Sequence, residues 1–426
     1  MNKPGSNETI KLERFVPGGQ AIGRLASGKK VFAWGGLPGE KVEIQITKKK
    51  HGFVEGVAVD IIEASEYRVD SRDGESFLST SPWQILDYNY ELAQKSALIK
   101  EAFGQEKIEI DSPEIVTDRR EYEYRNKMEY SFWWDNETER ISLAFFRRGS
   151  HGKIAVKTSS LAMPGISKKA TEIVKILNDL GIEARDLKTL LVRSTQNSKV
   201  VAQLYVKNLE VAQEIADKTT ADDLEIIYSD PRSPASVITQ RVSTPLNDAM
   251  RDILLDHEFS YSIEGFFQIN LPVYELALRD IRKNINTDMI VDMYSGVGSI
   301  GLTISDGKDL TLVEVNDSAV TELRRNVEKL QPNAKIVHTE SENALEFIDE
   351  RATLIVDPPR AGLHTKVIER ILEVAPPKVI YLSCNPTTQA RDVKTLLEKY
   401  QIDMIKGYNF FPRTPHIESL VVLSRR

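Results

Sequence analysis

A chain of 426 residues with 41% apolar side chains is long enough for two or three separate cores, and its glycine and proline content is typical of a globular protein. No run of about 18 apolar residues occurs and the N-terminus carries no apolar stretch, so we expect neither a membrane span nor a secretory signal. One cysteine excludes an intrachain disulfide and predicts a reducing, cytoplasmic setting. The net charge of −7 excludes a uniformly basic protein, but not a basic patch.

Basic residues cluster in two parts of the chain. Residues 1–60 contain ten lysines and arginines against six acidic residues. A second cluster lies between Arg119 and Lys153. Such clusters can follow a phosphate backbone although the whole protein is acidic, but a solvated surface has the same composition. Charge by itself therefore leaves both interpretations open.

Residues 10–62 predict a small β-barrel, because short strand-like runs alternate with turns such as Pro38-Gly39 and His51-Gly52. Aromatic residues accompany the basic ones in these strands, as in barrels that bind oligonucleotides, although the same aromatics would also fit a barrel core. We therefore expect an RNA-binding first domain at residues 1–62.

Residues 63–262 predict a central α+β domain, because one helical stretch is followed by many strand-like runs. Asp87 is a suitable N-cap residue and Gly104 a suitable end for a helix over residues 87–104. The apolar stripe of this helix consists of Leu92, Ala93, Ala97, Ile99 and Phe103. We expect the helix to pack on the C-terminal domain.

From residue 263 to residue 426, apolar strands alternate with helical stretches. Strands that are apolar on both faces are typical of a mostly parallel sheet covered by helices, so we expect a Rossmann-like α/β domain here. Ligands of such sheets bind at the carboxyl ends of the strands.

A glycine-rich loop follows the first of these strands, in the run from Asp292 to Gly301. Its glycines let the backbone turn tightly and approach a cofactor, and Glu314 ends the next strand, where a carboxylate can accept hydrogen bonds from ribose hydroxyls. The string Gly-Val-Gly-Ser-Ile-Gly also fits a dinucleotide fingerprint, so NAD remains an alternative. The late position of the loop and the place of Asp292, four residues before Gly296, favour S-adenosylmethionine.

Two further strands end in residues that suit chemistry. One ends in Asp357-Pro-Pro-Arg360 and the next in Ser383-Cys384-Asn385-Pro386. The prolines predict rigid loops at these strand ends. A lone cysteine is usually a small core residue, but Cys384 ends a strand at the same rim as the glycine loop, which favours a reactive thiol.

Several motifs together resemble the RNA uracil-5 methyltransferases. They are Phe267-Gln268-Ile269-Asn270, the run DMYSGVGSIGL from Asp292, the run IVDPPRAGL from Ile355, the run YLSCNP from Tyr381, and His416-Ile417-Glu418. The likeness covers nearly the whole chain, because residues 10–62 resemble the TRAM barrel that precedes many members. It implies a class I methyltransferase domain that uses S-adenosylmethionine and methylates carbon 5 of a uracil in RNA.

The resemblance also implies residue roles. Cys384 would add to carbon 6 of the uracil so that carbon 5 becomes nucleophilic, and Glu418 would remove the carbon 5 proton after methyl transfer. A cysteine suits the first step because its thiolate is a strong nucleophile and can leave again. His416 is expected to be structural. The expected cofactor contacts are Gln268, Tyr294, Ser299, Glu314, Asn343 and Asp357.

The implied partner is RNA, either transfer RNA or 23S ribosomal RNA, and the barrel favours ribosomal RNA. Phe266 and Phe267 are candidates to stack on a base, although adjacent phenylalanines are commonly core residues. Neither a membrane nor an obligate protein partner is implied.

The chain departs from the family in two places. Many relatives carry four cysteines for an iron–sulfur cluster, whereas serines such as Ser79, Ser81 and Ser160 stand in the corresponding stretches here. Because a cluster needs thiolate ligands, we predict no cluster and no metal site. Ser299 stands where relatives often have asparagine.

Three alternatives remain. A non-catalytic RNA-binding or ribosome-assembly factor could keep the fold without the reaction, although the presence of both Cys384 and Glu418 argues against it. An RNA cytosine-5 methyltransferase would use a similar thiolate addition, and a NAD-dependent oxidoreductase would use the glycine loop differently.

Overall fold

The structure, a computed structural model, describes residues 5–150, 152–219, 221–246 and 250–426. The described residues form two compact units. Unit 1 comprises the described parts of 1–91, 120–248 and 412–415; unit 2 comprises those of 92–119, 249–411 and 416–426. Across the described ranges, every helix is too short or too polar to cross a membrane.

Unit 1 begins with a closed barrel of five strands in the order β1-β2-β3-β5-β4. They are β1 (Asn7–Phe15), β2 (Ala21–Arg24), β3 (Lys30–Trp34), β4 (Lys41–Lys49) and β5 (Phe53–Glu63). Alternate residues such as Ile44 and Ile46 point inward and are fully buried, which is the pattern of a strand with one wet face. Phe15 also belongs to the core, whereas Phe32, Trp34 and Phe53 are only half-buried. The predicted barrel is confirmed.

The rest of unit 1 is a seven-stranded sheet in the order β13-β12-β11-β10-β7-β8-β9. Its strands are β7 (Lys127–Asp135), β8 (Arg140–Phe146), β9 (Lys153–Val156), β10 (Leu187–Ser194), β11 (Val200–Val206), β12 (Leu224–Tyr228) and β13 (Gln240–Arg241). Two helices, α3 (Pro164–Asp179) and α4 (Leu209–Lys218), cover one face with apolar residues such as Ile173 and Ile215, and a short helix α1 (Phe77–Thr80) precedes them in the chain.

The predicted helix over 87–104 is α2 (Tyr88–Gln105), and Asp87 caps it by accepting a hydrogen bond from the Tyr90 N–H. From Leu92 onward it belongs to unit 2, where Ile99 and Phe103 are completely buried in the core. The predicted stripe is wrong in part, because Ala93 and Ala97 are exposed while Lys95 is completely buried. Gly104 lies within the last turn instead of ending the helix.

Unit 2 contains an eight-stranded sheet in the order β18-β17-β16-β19-β20-β22-β21-β6. Its strands are β6 (Ile115–Val116), β16 (Met289–Met293), β17 (Asp309–Glu314), β18 (Lys335–His338), β19 (Ala352–Val356), β20 (Lys378–Ser383), β21 (Tyr400–Tyr408) and β22 (Glu418–Arg425). β14 (Met250–Leu254) and β15 (His257–Tyr261) form a separate hairpin.

Strands β16 to β20 run parallel to one another, whereas β22 is antiparallel to both of its neighbours, β20 and β21. The helices of this unit, besides the end of α2, are α5 (Leu271–Lys283), α6 (Gly301–Ile304), α7 (Asp317–Leu330), α8 (Thr365–Val374) and α9 (Pro386–Leu396). Buried strands such as β19 take apolar side chains on both faces, so the sequence pattern and the sheet agree. The predicted α/β domain is confirmed.

Candidate active site

The carboxyl ends of the central strands bring three predicted residues into one row. Met293 lies opposite both Val313 and Val356 in the parallel ladders, so the next residues, Tyr294, Glu314 and Asp357, follow at the same edge of the sheet. Residues from three separate stretches of sequence therefore meet at one rim.

The glycine loop after β16 needs its glycines for two physical reasons. Gly296 and Gly298 have φ values of 57° and 86°, a region that favours glycine. A Cβ at Gly301 would lie 2.6 Å from Leu312 Cδ2 and 2.9 Å from Asp292 Oδ2. The loop therefore turns sharply, and its end lies close against the sheet.

Asp292 stands behind this loop, not inside the cavity. Its Oδ2 accepts a hydrogen bond of 2.8 Å from the Gly301 N–H, and the residue is completely buried. Burial, with the charges of Asp357 and Glu314, raises its pKa to about 8, against the lowering effect of the Gly301 N–H. The Asp292 carboxyl group therefore holds the end of the glycine loop and does not line the cavity.

Glu314 is held by the backbone around it. Its Oε2 accepts a hydrogen bond from the Gly296 N–H at 2.8 Å, and its Oε1 accepts from the Val315 and Asn316 N–H groups at 2.9 and 2.7 Å. A carboxylate can accept further bonds on its remaining lone pairs. Glu314 is thus fixed in place at the cavity before any ligand arrives.

A cavity of about 590 Å³ opens along this rim, a size that suits a small-molecule ligand. Five of the predicted cofactor residues line it: Gln268, Tyr294, Ser299, Glu314 and Asp357. Asn343 is exposed and lies outside the lining, where its amide donates to Glu340 at 3.2 Å. Ser341 and Glu342 line the cavity next to it.

Two tyrosines fix the polar wall of the cavity. The hydroxyl of Tyr274, on α5, lies 2.8 Å from Ser299 Oγ, and Ser341 Oγ donates to the Tyr294 hydroxyl at 2.7 Å. Tyr294 adopts a positive φ of 68°, which is rare for a residue with a side chain. Tyr274 was not among the residues that the sequence motifs singled out, although its hydroxyl lies against Ser299 at the cavity.

Cys384 and Glu418 approach each other through the antiparallel ladder of β20 and β22. Ser383 lies opposite Ser419, so one step further along the same register places Cys384 opposite Glu418. Residues directly opposite in such a ladder have Cα atoms about 5 Å apart and share a face of the sheet. The thiol and the carboxyl predicted to work together therefore start from neighbouring positions.

The surroundings of Cys384 oppose its ionisation. The half-buried thiol has a raised pKa because of burial and the carboxyl groups of Glu418 and Asp357, while the Arg360 guanidinium lowers that pKa through its charge and a hydrogen bond. The Arg360 guanidinium is therefore the cationic group that favours the thiolate.

Burial also raises the pKa values of the two carboxyl groups next to the thiol. The pKa of Asp357 rises to about 7, and that of Glu418 rises well above its usual range, with the charge of Asp357 adding to the effect and Arg360 opposing it. Buried acids of this kind are typical of reaction centres, although structural networks also produce them.

The loop that carries Arg360 is fastened to the start of α9. The Asn385 amide donates to the Arg360 carbonyl at 2.9 Å, Thr388 Oγ1 donates to the same carbonyl at 3.1 Å, and Asn385 Oδ1 caps α9. The Arg360 guanidinium donates to His416 Nδ1 at 3.3 Å. The Asp-Pro-Pro-Arg run was recognised in the sequence, but the role of its arginine was not.

The two adjacent phenylalanines have different environments. Phe266 is 76% exposed at the mouth of the cavity, whereas Phe267 is 3% exposed and stacks on Tyr261 with ring centroids 4.1 Å apart. Phe267 is therefore a core residue, and Phe266 is available to a base.

In unit 1, two of the three serines considered for a cluster, Ser81 and Ser160, share one hydrogen-bond partner. Gln84 Nε2 donates to Ser81 Oγ at 2.6 Å, to Ser160 Oγ at 3.3 Å and to Asp73 Oδ2 at 2.9 Å. No group of three or more His, Cys, Asp or Glu side chains suited to a metal ion occurs in the described ranges. The absence of a cluster stays a prediction.

The sheet order, the glycine loop and the acidic cavity define a class I methyltransferase fold. The thiol of Cys384 lies at the same edge of the sheet as the cavity. A family model described as tRNA (uracil-5-)-methyltransferase matches residues 87–426, and a TRAM domain model matches residues 2–59. The chain therefore belongs to the tRNA (uracil-5-)-methyltransferase family. The resemblance seen in the sequence is confirmed, and family membership excludes the NAD-dependent oxidoreductase.

Relatives support the same class. An RNA methyltransferase of Fusobacterium nucleatum is 27% identical over 98% of this chain and 95% of its own, and one of Lactiplantibacillus plantarum is 28% identical over 93% and 92%. The crystal structure of Pyrococcus abyssi tRNA (uracil-54, C5)-methyltransferase, in complex with S-adenosyl-L-homocysteine, is 23% identical and superposes with a TM-score of 0.76 over 97% of this chain and 100% of that one. This last likeness shows the fold.

Proposed function

We propose that this protein transfers the methyl group of S-adenosylmethionine to carbon 5 of a uridine in RNA, with Cys384 as a covalent nucleophile and Glu418 as the base. The observation that carries the proposal is the pairing of these two residues at the end of β20 and the start of β22, next to the cavity that Asp357 lines. A thiol, a buried carboxyl and a donor site at one rim are what this reaction needs.

The cavity fits the donor by its charge as well as its size. Carboxyl groups including Glu314, Glu342 and Asp357 line it, so it favours a ligand with positive charge. We propose that Glu314 accepts bonds from ribose hydroxyls and that Gln268, Tyr294, Ser299 and Asp357 hold the rest of the cofactor, with Asn343 at the rim through its bond to Glu340. When bound, the cofactor supplies an electrophilic methyl group on a sulfonium ion.

The first step belongs to Cys384. Its Sγ, once deprotonated, forms a bond to carbon 6 of the uracil, and the electron pair of the 5,6 double bond moves to an enolate that makes carbon 5 nucleophilic. Arg360 favours the required thiolate, since its guanidinium opposes the effects that raise the Cys384 pKa. Carbon 5 then takes the methyl group, while the methyl–sulfur bond of the donor breaks and its electron pair stays on the sulfur, which leaves as a neutral thioether.

The last step belongs to Glu418. Its carboxylate removes the proton from carbon 5, the 5,6 double bond forms again, and the bond from carbon 6 to Sγ breaks to return the thiolate. The raised pKa makes Glu418 a stronger base than an exposed glutamate, which suits a proton bound to carbon.

We propose that RNA binding uses the barrel, the basic residues between Arg119 and Lys153, and Phe266. The Arg148 guanidinium lies 4.1 Å from the centroid of the half-buried Trp34 ring, which links the two basic regions of unit 1. The exposed Phe266 stacks on a base beside the cavity. The domain limits 1–62, 63–262 and 263–426 remain part of this proposal.

Transfer RNA is the first substrate to test, because the family description and the name of the Pyrococcus abyssi protein both refer to tRNA. 23S ribosomal RNA, which the barrel suggested, is the second. We further propose that the protein works in the cytoplasm and without an iron–sulfur cluster, since its single cysteine is placed at the reaction centre.

The test is methyl transfer from labelled S-adenosylmethionine to unmodified tRNA and rRNA, with nucleoside mass spectrometry. We expect 5-methyluridine from the wild-type chain and none from Cys384→Ala. The product 5-methylcytidine would instead identify a cytosine-5 methyltransferase.

RNA containing 5-fluorouridine provides the second measurement, because fluorine at carbon 5 blocks the final proton removal. We expect a stable covalent complex with the wild-type chain and none with Cys384→Ala. If the protein binds RNA and cofactor but forms neither product nor adduct, it is a non-catalytic RNA-binding factor and the covalent mechanism is wrong.

A further inference from the structure

Lys95, on α2, is a charged residue that the proposed reaction does not use, and it is completely buried in unit 2. Its ammonium donates to Asn409 Oδ1 at 2.6 Å and to the Phe411 carbonyl at 3.1 Å. Burying an ammonium group has a large desolvation cost, which is tolerated only where hydrogen bonds compensate for it. The segment 409–411 supplies two acceptors for the one ammonium group.

The held segment follows β21 directly and is itself buried. Asn409 is completely buried, and its backbone N–H donates to the Val116 carbonyl at 2.9 Å. Phe410 is 1% exposed. Lys95 therefore fixes both a side chain and a main-chain carbonyl of three consecutive residues.

Two aromatic rings connect this segment to the candidate active site. The rings of Phe410 and Tyr274 meet edge to face, with centroids 5.7 Å apart and an interplanar angle of 86°, and the Tyr274 hydroxyl lies 2.8 Å from Ser299 Oγ in the glycine loop. The Phe411 ring meets the His416 ring, with centroids 5.8 Å apart and an angle of 73°. Each edge-to-face contact sets the position of the ring it touches.

His416 completes the connection on the thiol side. Its Nδ1 accepts the hydrogen bond from the Arg360 guanidinium, and Arg360 is the group that favours the Cys384 thiolate. The contacts thus run from Lys95 through Phe411 and His416 to Arg360, all within unit 2.

We propose that Lys95 is a positioning residue, which holds segment 409–411 and thereby keeps Arg360 in place beside the thiol of Cys384. This inference rests on the proposed function where it concerns the rate of methyl transfer. Its effect on the thiol is independent of RNA.

The test uses the full chain with Lys95→Met, which keeps most of the side-chain volume but removes the donors. Lys100→Met is the matched control, because Lys100 lies on the same helix and is exposed. The pH dependence of iodoacetamide alkylation is measured in the absence of RNA, where the single cysteine makes the mass shift unambiguous. Single-turnover methyl transfer and thermal unfolding are measured in parallel.

We expect Lys95→Met to raise the alkylation midpoint, which is the pH at which the alkylation rate of Cys384 reaches half its maximum. We also expect methyl transfer to slow on the order of tenfold to a hundredfold, since small displacements of reacting groups reduce reaction rates by such factors. Lys100→Met should behave as wild type in both. A midpoint and a rate equal to those of Lys100→Met would overturn the proposal. So would a slower rate with an unchanged midpoint, because Lys95 would then not act on the thiol through Arg360.

Asn409 provides the second pair of variants if Lys95→Met does not fold. Asn409→Asp keeps an acceptor for the ammonium and should retain the wild-type midpoint, whereas Asn409→Leu should shift it upward. Equal midpoints for these two variants would contradict the proposal. If the wild-type chain transfers no methyl group to any RNA, the proposed function fails, but the alkylation midpoints still decide the role of Lys95.

Discussion

The candidate site has a cofactor end, formed by Glu314 and the glycine loop, and a thiol end, formed by Cys384 and Glu418. The two ends hold their charged groups in different ways. At the cofactor end, Glu314 accepts hydrogen bonds from three backbone N–H groups, two of them from the residues that follow it. At the thiol end, Glu418 is buried beside Asp357 and Cys384, and the guanidinium that opposes its raised pKa comes from Arg360, distant in the sequence. The first end is built locally and the second by long-range packing.

This difference has a chemical consequence. A carboxylate that accepts several backbone N–H bonds, as Glu314 does, is held in one position and serves as a fixed binding group. Burial raises the pKa values of the carboxyl groups at the thiol end, that of Asp357 to about 7, so these groups bind a proton more readily than exposed acids do. The cofactor end is therefore suited to binding and the thiol end to proton transfer, and variants at the two ends should fail in different steps.

Glu418→Gln gives the largest expected effect and concerns the thiol end only. Without the carboxylate, proton removal from carbon 5 should slow by about 10² to 10⁴-fold, so ordinary RNA should accumulate as a covalent complex with Cys384. Denaturing electrophoresis detects that complex, and isothermal titration should give an unchanged affinity for S-adenosylmethionine. Free turnover without accumulation of the complex would assign the base to another residue.

Glu314→Ala concerns the cofactor end only. The loss of the acceptor for ribose hydroxyls should weaken cofactor binding by roughly tenfold to a hundredfold, because hydrogen bonds to charged groups are worth about 1.5–3 kcal/mol. The alkylation midpoint of Cys384 should stay unchanged. Titration calorimetry and alkylation therefore separate the two ends, and a shifted midpoint in Glu314→Ala would show that they are not independent.

Asp357 lines the cavity of the cofactor end but shares the environment of the thiol end. Its pKa of about 7 means that the empty protein carries a neutral carboxyl group below pH 7, so binding of a cation must displace a proton there. Affinity for S-adenosylmethionine should rise with pH, by up to about tenfold per unit below pH 7, and level off above it. S-adenosylhomocysteine, which lacks the sulfonium charge, should show a weaker dependence.

Asp357→Asn is the control for this pH dependence. The amide cannot ionise, so cofactor affinity should become independent of pH between 6 and 8. If cofactor affinity still depends on pH in this variant, the titrating group is another residue. Asp292 is then the next candidate, because its pKa is about 8.

Arg360→Gln and Glu418→Gln should shift the pKa of the Cys384 thiol in opposite directions. These shifts are the smallest of the expected effects. Arg360 lowers the pKa of the thiol and Glu418 raises it, so the alkylation midpoint should rise in Arg360→Gln and fall in Glu418→Gln. Both are read from the rate of mass change against pH in the absence of RNA. Shifts of the same sign would mean that loop movement, not charge, controls the thiol.

Local sequence patterns were enough to predict many of the strands, helices and loops. The glycines at Gly296 and Gly298 mark a tight loop because their backbone needs positive φ values, and the apolar run before Cys384 predicts the strand that ends there. The five-stranded barrel and the alternating strands and helices of unit 2 follow from periodicity in the same way. These features depend on residues close together in the chain.

The tertiary structure alone decided which residues share an environment. Lys95 is buried although it lies in a polar part of its helix pattern, and Phe266 is exposed whereas the adjacent Phe267 is buried. The register between β20 and β22 brings Glu418 to Cys384. Burial and ionisation depend on groups that approach from distant segments, so neither follows from the local sequence. Local sequence therefore determined the elements and the reactive residue types, whereas long-range packing determined their protonation and their partners.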